Sequence, residues 1–223
     1  MTHIVTVRPE PGATATRALG EQTGLDIACH PLFEIRPCEW FCSVEDVDAI
    51  LLGSANAIRH GGPGLAELQT RSVHCVGEMT AFAAREAGFT IASTGSGGLQ
   101  NVLDEIAGPI RLLRLAGADH VPLQASEGVE IETCIVYESV AQDMPDGLAE
   151  MLRQGALVLL HSAIAAEHLA SEVDRLDIAR ESVSLAALGP RIASAAGEGW
   201  QRVESAPQPS DAALLALARD MCH

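Results

Sequence analysis

A chain of 223 residues, 48% hydrophobic and 20% charged, is long and apolar enough to bury a full core, which excludes a disordered protein. Its formal charge of −16 argues against nucleic acid and anionic membrane surfaces as partners, because phosphate binding needs clustered cations. All 14 basic residues are arginine, so neither a Schiff-base lysine nor a P-loop lysine exists.

Short apolar runs alternate with helical patterns along the chain, as parallel βα units do and as sandwiches or bundles do not. A strand over residues 4–7 leads into a helix over 12–22, closed by Gly24, and a second strand over 26–30 follows. At Pro31-Leu32-Phe33-Glu34-Ile35-Arg36-Pro37 the texture changes to an extended, proline-bounded segment. The strand 49–53 ends at Ser54-Ala55, and the helix 55–60 is broken by His60-Gly61-Gly62-Pro63-Gly64. Next come a strand 72–76, a helix 78–87 closed by Gly88, and a strand 89–93. Gly95-Ser96-Gly97-Gly98 resembles a phosphate loop, but Gln100 stands where the third glycine is needed, so it reads as the opening of a helix over 98–107. After the strand 110–115, a long extended stretch runs from Val129 to Val140, with its strand over 131–137. The remainder alternates helix 146–153, strand 157–161, helix 163–175, strand 184–188, helix 190–198, strand 202–206 and helix 210–220.

No stretch approaches the roughly 20 apolar residues that cross a bilayer, and Met1-Thr2-His3 leads into a strand without a basic, then apolar, signal region. The expectation is a cytoplasmic protein. Six scattered cysteines then read as buried small hydrophobes rather than disulfides. Cys38 and Cys42 lack the second Cys or His pair of a metal site, so no metal is expected.

One pattern occurs twice. A strand ending in Ser-Ala (Leu51 to Ala55) is followed by a strand ending in a glycine that opens a helix (Val76, Gly77, Glu78, Met79, Thr80, Ala81). The same order returns as Leu159, Leu160, His161, Ser162, Ala163, then Leu188, Gly189, Pro190. The copies lie roughly 110 residues apart, too far for a solenoid and suited to two small homologous domains. The two extended stretches imply an insertion. The fold expected is α/β, with two flavodoxin-like parallel-sheet domains joined by a two-stranded extended connector, one domain discontinuous. Domain 1 comprises residues 1–33 and 139–223, domain 2 residues 40–131, and the connector residues 34–39 and 132–138.

Ligands of such sheets sit beyond the carboxyl ends of the strands, where Arg8, Ser54, Gly77, Gly117, Ser162 and Gly189 fall. Backbone N–H groups at strand-to-helix turns are unpaired and carry positive partial charge, which suits carboxylates. The hydroxyls of Ser54 and Ser162, with the amides after them (Ala55, Asn56, Ala163), are candidates for that work, and helix capping is the alternative. Gly77 with Thr80, and Gly189 with Pro190, form a second pair of turns where a ligand can approach the backbone. Arg8 is the best placed cation; its alternative is a surface ion pair with Glu10. Facing sets of such turns would make a cleft for an anionic ligand.

The segments Val7-Arg8-Pro9-Glu10-Pro11-Gly12, Pro31-Leu32-Phe33-Glu34-Ile35, Ser54-Ala55-Asn56-Ala57, Val76-Gly77-Glu78-Met79-Thr80-Ala81, Val136-Tyr137-Glu138 and Leu188-Gly189-Pro190 together resemble uroporphyrinogen-III synthases, in this order. The resemblance implies a cofactor-free, monomeric lyase of haem biosynthesis. Its substrate is hydroxymethylbilane, a linear tetrapyrrole bearing acetates and propionates, and the enzyme that supplies it, hydroxymethylbilane synthase, is the transient protein partner implied. The terminal hydroxymethyl loses its hydroxyl as water and keeps its carbon as the closing bridge, the last ring is inverted through a spiro intermediate, and the macrocycle closes. Folding a floppy polyanion so that its ends meet is a problem of proximity and orientation more than of acid and base.

Tyr137, the only tyrosine, matches the connector tyrosine of the family and is assigned on that basis to help the hydroxyl depart, against the alternative of a packed strand tyrosine. Gly117 resembles the glycine after the family's fourth strand of domain 2, and His120 follows three residues later. Three positions depart from the family pattern: Gly53 and Ile192 where threonines are usual, and Ala116 where an arginine often precedes the glycine. Each loses a polar group. They leave open a two-domain protein that clamps an anionic ligand without chemistry. A flavodoxin-like redox protein is disfavoured by 3% aromatic content.

Overall fold

A computed structural model describes residues 3–222. In chain order these form β1 (His3–Thr6), α1 (Gly12–Gln22), β2 (Ile27–Cys29), β3 (Phe33–Pro37), β4 (Ala49–Leu52), α2 (Asn56–His60), β5 (Ser72–Val76), α3 (Glu78–Glu86), β6 (Thr90–Gly95) and α4 (Leu99–Asp104). There follow β7 (Ile110–Gly117), β8 (Val129–Ala141), α5 (Asp146–Arg153), β9 (Ala156–Leu160), α6 (Ala163–Arg175), β10 (Val183–Ala187), α7 (Pro190–Ala195), β11 (Arg202–Ser205) and α8 (Asp211–Met221).

The chain divides into two compact units, Met1–Glu34 with Val140–His223, and Ile35–Ser139. The first holds a parallel sheet in the order β11-β10-β9-β1-β2. Counted within the unit this is 2-1-3-4-5, the flavodoxin-like order, and it reverses between β1 and β9. The other sheet runs β3-β8-β7-β4-β5-β6, with parallel pairing from β8 through β6 and its reversal between β4 and β7. At each reversal the connections leave in opposite directions, so the carboxyl ends there stay uncovered by a crossover.

Burial on both faces explains the unbroken apolar strands: every residue of Ala49–Leu52 and of Ala156–Leu160 is buried. Residues alternate between faces, so Ile50 and Leu52 join Val73, Ala81, Ala84 and Leu113 in one core, while Ala49 and Leu51 join Val102, Leu103 and Leu112 in another. In the first unit, Leu148, Leu152, Leu169 and Val173 cover one sheet face, and Leu214, Leu215 and Ala218 cover the other.

The structure differs from the sequence expectation in three places. Phe33–Pro37, expected as a strand of the two-stranded connector, lies beside β8, but β8 itself runs beyond its expected 131–137, from Val129 to Ala141. Helices α4 and α7 are shorter than their patterns: Ile106 N turns back to Leu103 O at 3.0 Å, and Gly197 N to Ser194 O at 3.2 Å. Finally, the sulfurs of Cys42 and Cys134 are in bonding contact with their Cα atoms 6.6 Å apart, so these two are a pair rather than separate hydrophobes. Sequence could not show this, because the partners are 92 residues apart and meet only when β8 passes the segment before β4.

Candidate functional site

In the first unit, β1 leads to Arg8 and the neighbouring β9 to His161 and Ser162, on the two sides of the strand reversal. Arg8 is not free. Its Nη1 donates to Thr16 Oγ1 at 3.1 Å and to both Asp211 carboxylate oxygens at 3.3 Å. Glu10, the alternative partner, instead accepts from Thr14 N and Thr14 Oγ1, both at 3.0 Å, at the start of α1. Asp211, the first residue of α8, is also bonded at 2.8 Å to His161 Nε2. That hydrogen bond, reinforced by the charge of Arg8 and opposed by desolvation, holds the Asp211 carboxyl below the ordinary carboxylate range. The other ring nitrogen of His161, Nδ1, is buried without a partner. Ser162 caps α6, its hydroxyl accepting from Ala165 N at 3.2 Å. The amide of Ala163 precedes the first intrahelical bond of α6. Gly189 opens α7, its carbonyl accepting from Ile192 N at 3.0 Å and Ala193 N at 3.1 Å.

In the other unit, Ser54, Gly77 and Gly117 stand at the ends of the adjacent strands β4, β5 and β7, and Tyr137 lies within β8 opposite Gly117. Ser54 Oγ accepts from Asn56 N at 3.2 Å, which shapes the turn into α2 and occupies the Asn56 amide. Ala55 is buried, and Asn56 Oδ1 accepts from Arg59 Nη1 at 3.5 Å. Gly77 has φ +77°, a left-handed conformation that only glycine adopts without strain, and open space lies where a side chain would stand. Thr80 offers a ligand nothing: its side chain is buried, and its amide is bonded to Gly77 O at 3.1 Å. An open depression of about 610 Å³ beside Gly77 is lined by Glu78 and Glu105 as well as Thr94, Ser96 and Asn101. Its two carboxylates make it a poor receptor for an acid.

Gly117 is defined by its neighbour. A β-carbon there would lie 2.6 Å from Tyr137 Cε2 and 3.0 Å from Tyr137 Oη, so the phenol ring lies against bare backbone. A register shift between Ala116 and Gly117 brings Gly117 opposite Tyr137 in the ladder. The Tyr137 hydroxyl makes no hydrogen bond among the described residues. The ring of His60 sits 6.4 Å from that of Tyr137, and burial, with the nearby charge of Arg59, lowers its proton affinity. His120 Nδ1 lies 3.0 Å from Gly117 O, which ties this histidine to the same corner.

The structure therefore gathers Gly117, His120 and Tyr137 into one cluster, with Ser54 and Gly77 on neighbouring strand ends, and in the first unit sets Arg8 beside Ser162. It adds residues that the sequence reading gave no role. His161 and Asp211 carry no local signal, since they meet 50 residues apart. His60 was legible only as part of a glycine-rich turn. Arg114 did have a signal: a charged residue inside the apolar run 110–115. Among the described residues, no group of three or more His, Cys, Asp or Glu side chains is placed to hold a metal ion.

The sequence matches the family model for uroporphyrinogen-III synthase HemD over residues 14–216. The fold is shared with the crystal structure of uroporphyrinogen-III synthetase from Helicobacter pylori 26695, at TM-score 0.69 and 18% identity, covering 99% of this chain and 100% of that one. A mutant uroporphyrinogen III synthase from the extremely thermophilic bacterium Thermus thermophilus is also similar, at TM-score 0.55 and 19% identity, covering 100% of this chain and 99% of that one. No curated protein sequence is significantly similar to the chain. At such identities the two crystal structures speak for the fold, and the family follows from the sequence model, which spans nearly the whole chain: this protein belongs to the uroporphyrinogen-III synthase family.

Proposed function

We propose that the chain cyclises hydroxymethylbilane to uroporphyrinogen III, inverting the last pyrrole ring and releasing water, as a cyclising lyase of tetrapyrrole biosynthesis. The observation that carries this reading is the family match over residues 14–216. The substrate is a flexible polyacid, and the strand ends of both units offer donors that suit carboxylates. In the first unit these are the turns at Ser162, Ala163 and Gly189, with Arg8 beside them. In the other they are the turn at Ser54 and Ala55, together with Gly117 and His120. Tyr137 is the group assigned to the chemistry. Its phenol has an unspent hydroxyl, lies against bare backbone at Gly117, and gives a proton or a hydrogen bond to the departing hydroxyl. Most of the rate then comes from binding geometry, with the phenol in a supporting role.

The protein is proposed to work as a cytoplasmic monomer that takes its unstable substrate during transient contact with hydroxymethylbilane synthase. In support, no helix among the described residues is long and apolar enough to cross a membrane.

The test supplies freshly generated hydroxymethylbilane to the purified protein and separates the product isomers. Type III product is expected; spontaneous type I product alone would overturn the reading. Tyr137→Phe is expected to lower turnover by roughly ten- to hundredfold without abolishing it, at the low end of what proton transfer contributes. Complete loss of turnover in a folded Tyr137→Phe protein would contradict the supporting role.

A further inference from the structure

We infer that Arg114 is a carboxylate-binding residue, a buried cation kept without a counter-ion in the protein so that an acidic group of the ligand can supply one. It lies in β7, three residues before Gly117, with 7% of its surface exposed. Its guanidinium is spent on one bond, from Nη1 to the carbonyl of Val121 at 2.9 Å. Nε is fully buried and has no partner, whereas Nη2 makes no hydrogen bond among the described residues and is not closed off from solvent. No ion pair among the described residues includes Arg114, in a chain with 30 acidic residues against 14 basic ones. Arg8, Arg111, Arg175 and Arg180, all more exposed, each have a carboxylate.

An unpaired buried charge is costly, and a fold that needed only to anchor Val121 could use a neutral donor. The position explains why the charge is retained. Val121 follows His120 in the loop after β7, and His120 is tied back to Gly117, over which Tyr137 lies. Arg114 is also near enough to Tyr137 for the two to interact electrostatically, which partly offsets the lowering of its proton affinity by burial. Arg114 thus lies in the neighbourhood of Tyr137. The fork geometry of arginine suits a carboxylate, and the acetates and propionates of a tetrapyrrole are the class of group it would take. The identity of that ligand rests on the function proposed above.

The experiment compares wild type with Arg114→Gln, which keeps a donor for the Val121 carbonyl but no charge. Steady-state cyclisation is read alongside equilibrium binding of uroporphyrin III, the stable oxidised form of the product. The expected result is a KM raised roughly ten- to hundredfold, a matching loss of uroporphyrin affinity, a smaller change in kcat, and partial recovery in Arg114→Lys. Arg114→Met is expected to melt at or above the wild-type temperature, because an uncompensated charge has been removed. If Arg114→Gln still makes type III product and its KM and uroporphyrin affinity stay within about twofold of wild type, less than the loss of one charged hydrogen bond, the inference falls and the function stands. If wild type itself yields only type I product, the function falls, and uroporphyrin binding alone decides the role of Arg114. If Arg114→Gln does not fold, Arg114→Met decides by the same measurements. Failure of both to fold assigns the guanidinium to holding Val121 and overturns the inference.

Discussion

Arg8 in the first unit and Arg114 in the second each stand beside the strand reversal of their own sheet, yet their guanidinium groups are treated differently. Arg8 is held by Thr16 and Asp211, and Asp211 is shared with His161, so the donors at that corner are largely spent inside the protein. Arg114 has a single carbonyl partner, and the hydroxyl of Tyr137 beside it has none among the described residues. The hydroxyl of Ser162 accepts from Ala165 N as a helix cap, whereas that of Tyr137 makes no hydrogen bond among the described residues. Strand topology makes two equivalent corners, and side-chain pairing decides that one is braced and the other is left with unspent donors.

Three tests would break or sharpen this contrast. The largest effect is expected from Gly117→Ala. The added β-carbon would stand 2.6 Å from the Tyr137 ring, which must move, so a stability loss of about 1–3 kcal/mol should accompany a turnover no better than that of Tyr137→Phe. Urea melts and product assays on the same protein check both, and an undisturbed rate would mean that the ring's place over Gly117 is not used. Next, Arg8→Met should cost about 1–2 kcal/mol, since it leaves Asp211 with one partner at a partly exposed site. Arg114→Met should cost nothing by the same measurement, and equal losses in the two variants would erase the distinction between braced and open corners. The smallest effect is one of pH. Asp211 titrates lower in the folded chain than in the unfolded one, so its stabilisation is complete above the unfolded carboxylate value of about 3.9 and is lost as pH falls through the folded value. The stability gap between wild type and Asp211→Asn should therefore narrow below about pH 4; a constant gap would mean that the carboxylate's charge contributes nothing.

Much of the fold was legible in one dimension. Apolar runs such as Ala156–Leu160 become strands wherever both faces are covered, and the repeated order of Ser-Ala and glycine turns marks the carboxyl ends of equivalent strands. Tyr137 and Gly117 were both singled out, but from resemblance, and nothing in their spacing showed that the ring of one lies against the backbone of the other. Arg8 was picked out as a cation at a strand end, which is correct as to place, while its partner was sought two residues away and found 203 residues away.

The sequence by itself determined the alternation of strands and helices, the doubled pattern and the family, because these depend on the periodicity and order of residues along the chain. Tertiary structure alone decided which charges are paired. A carboxylate reaches Arg8 because α8 begins beside the end of β1, and none reaches Arg114, which is buried within β7 and bonded to a single carbonyl. Whether a cation is braced inside the protein or held in reserve for a ligand depends on distances in three dimensions and on local burial, neither of which is a property of the chain read in order.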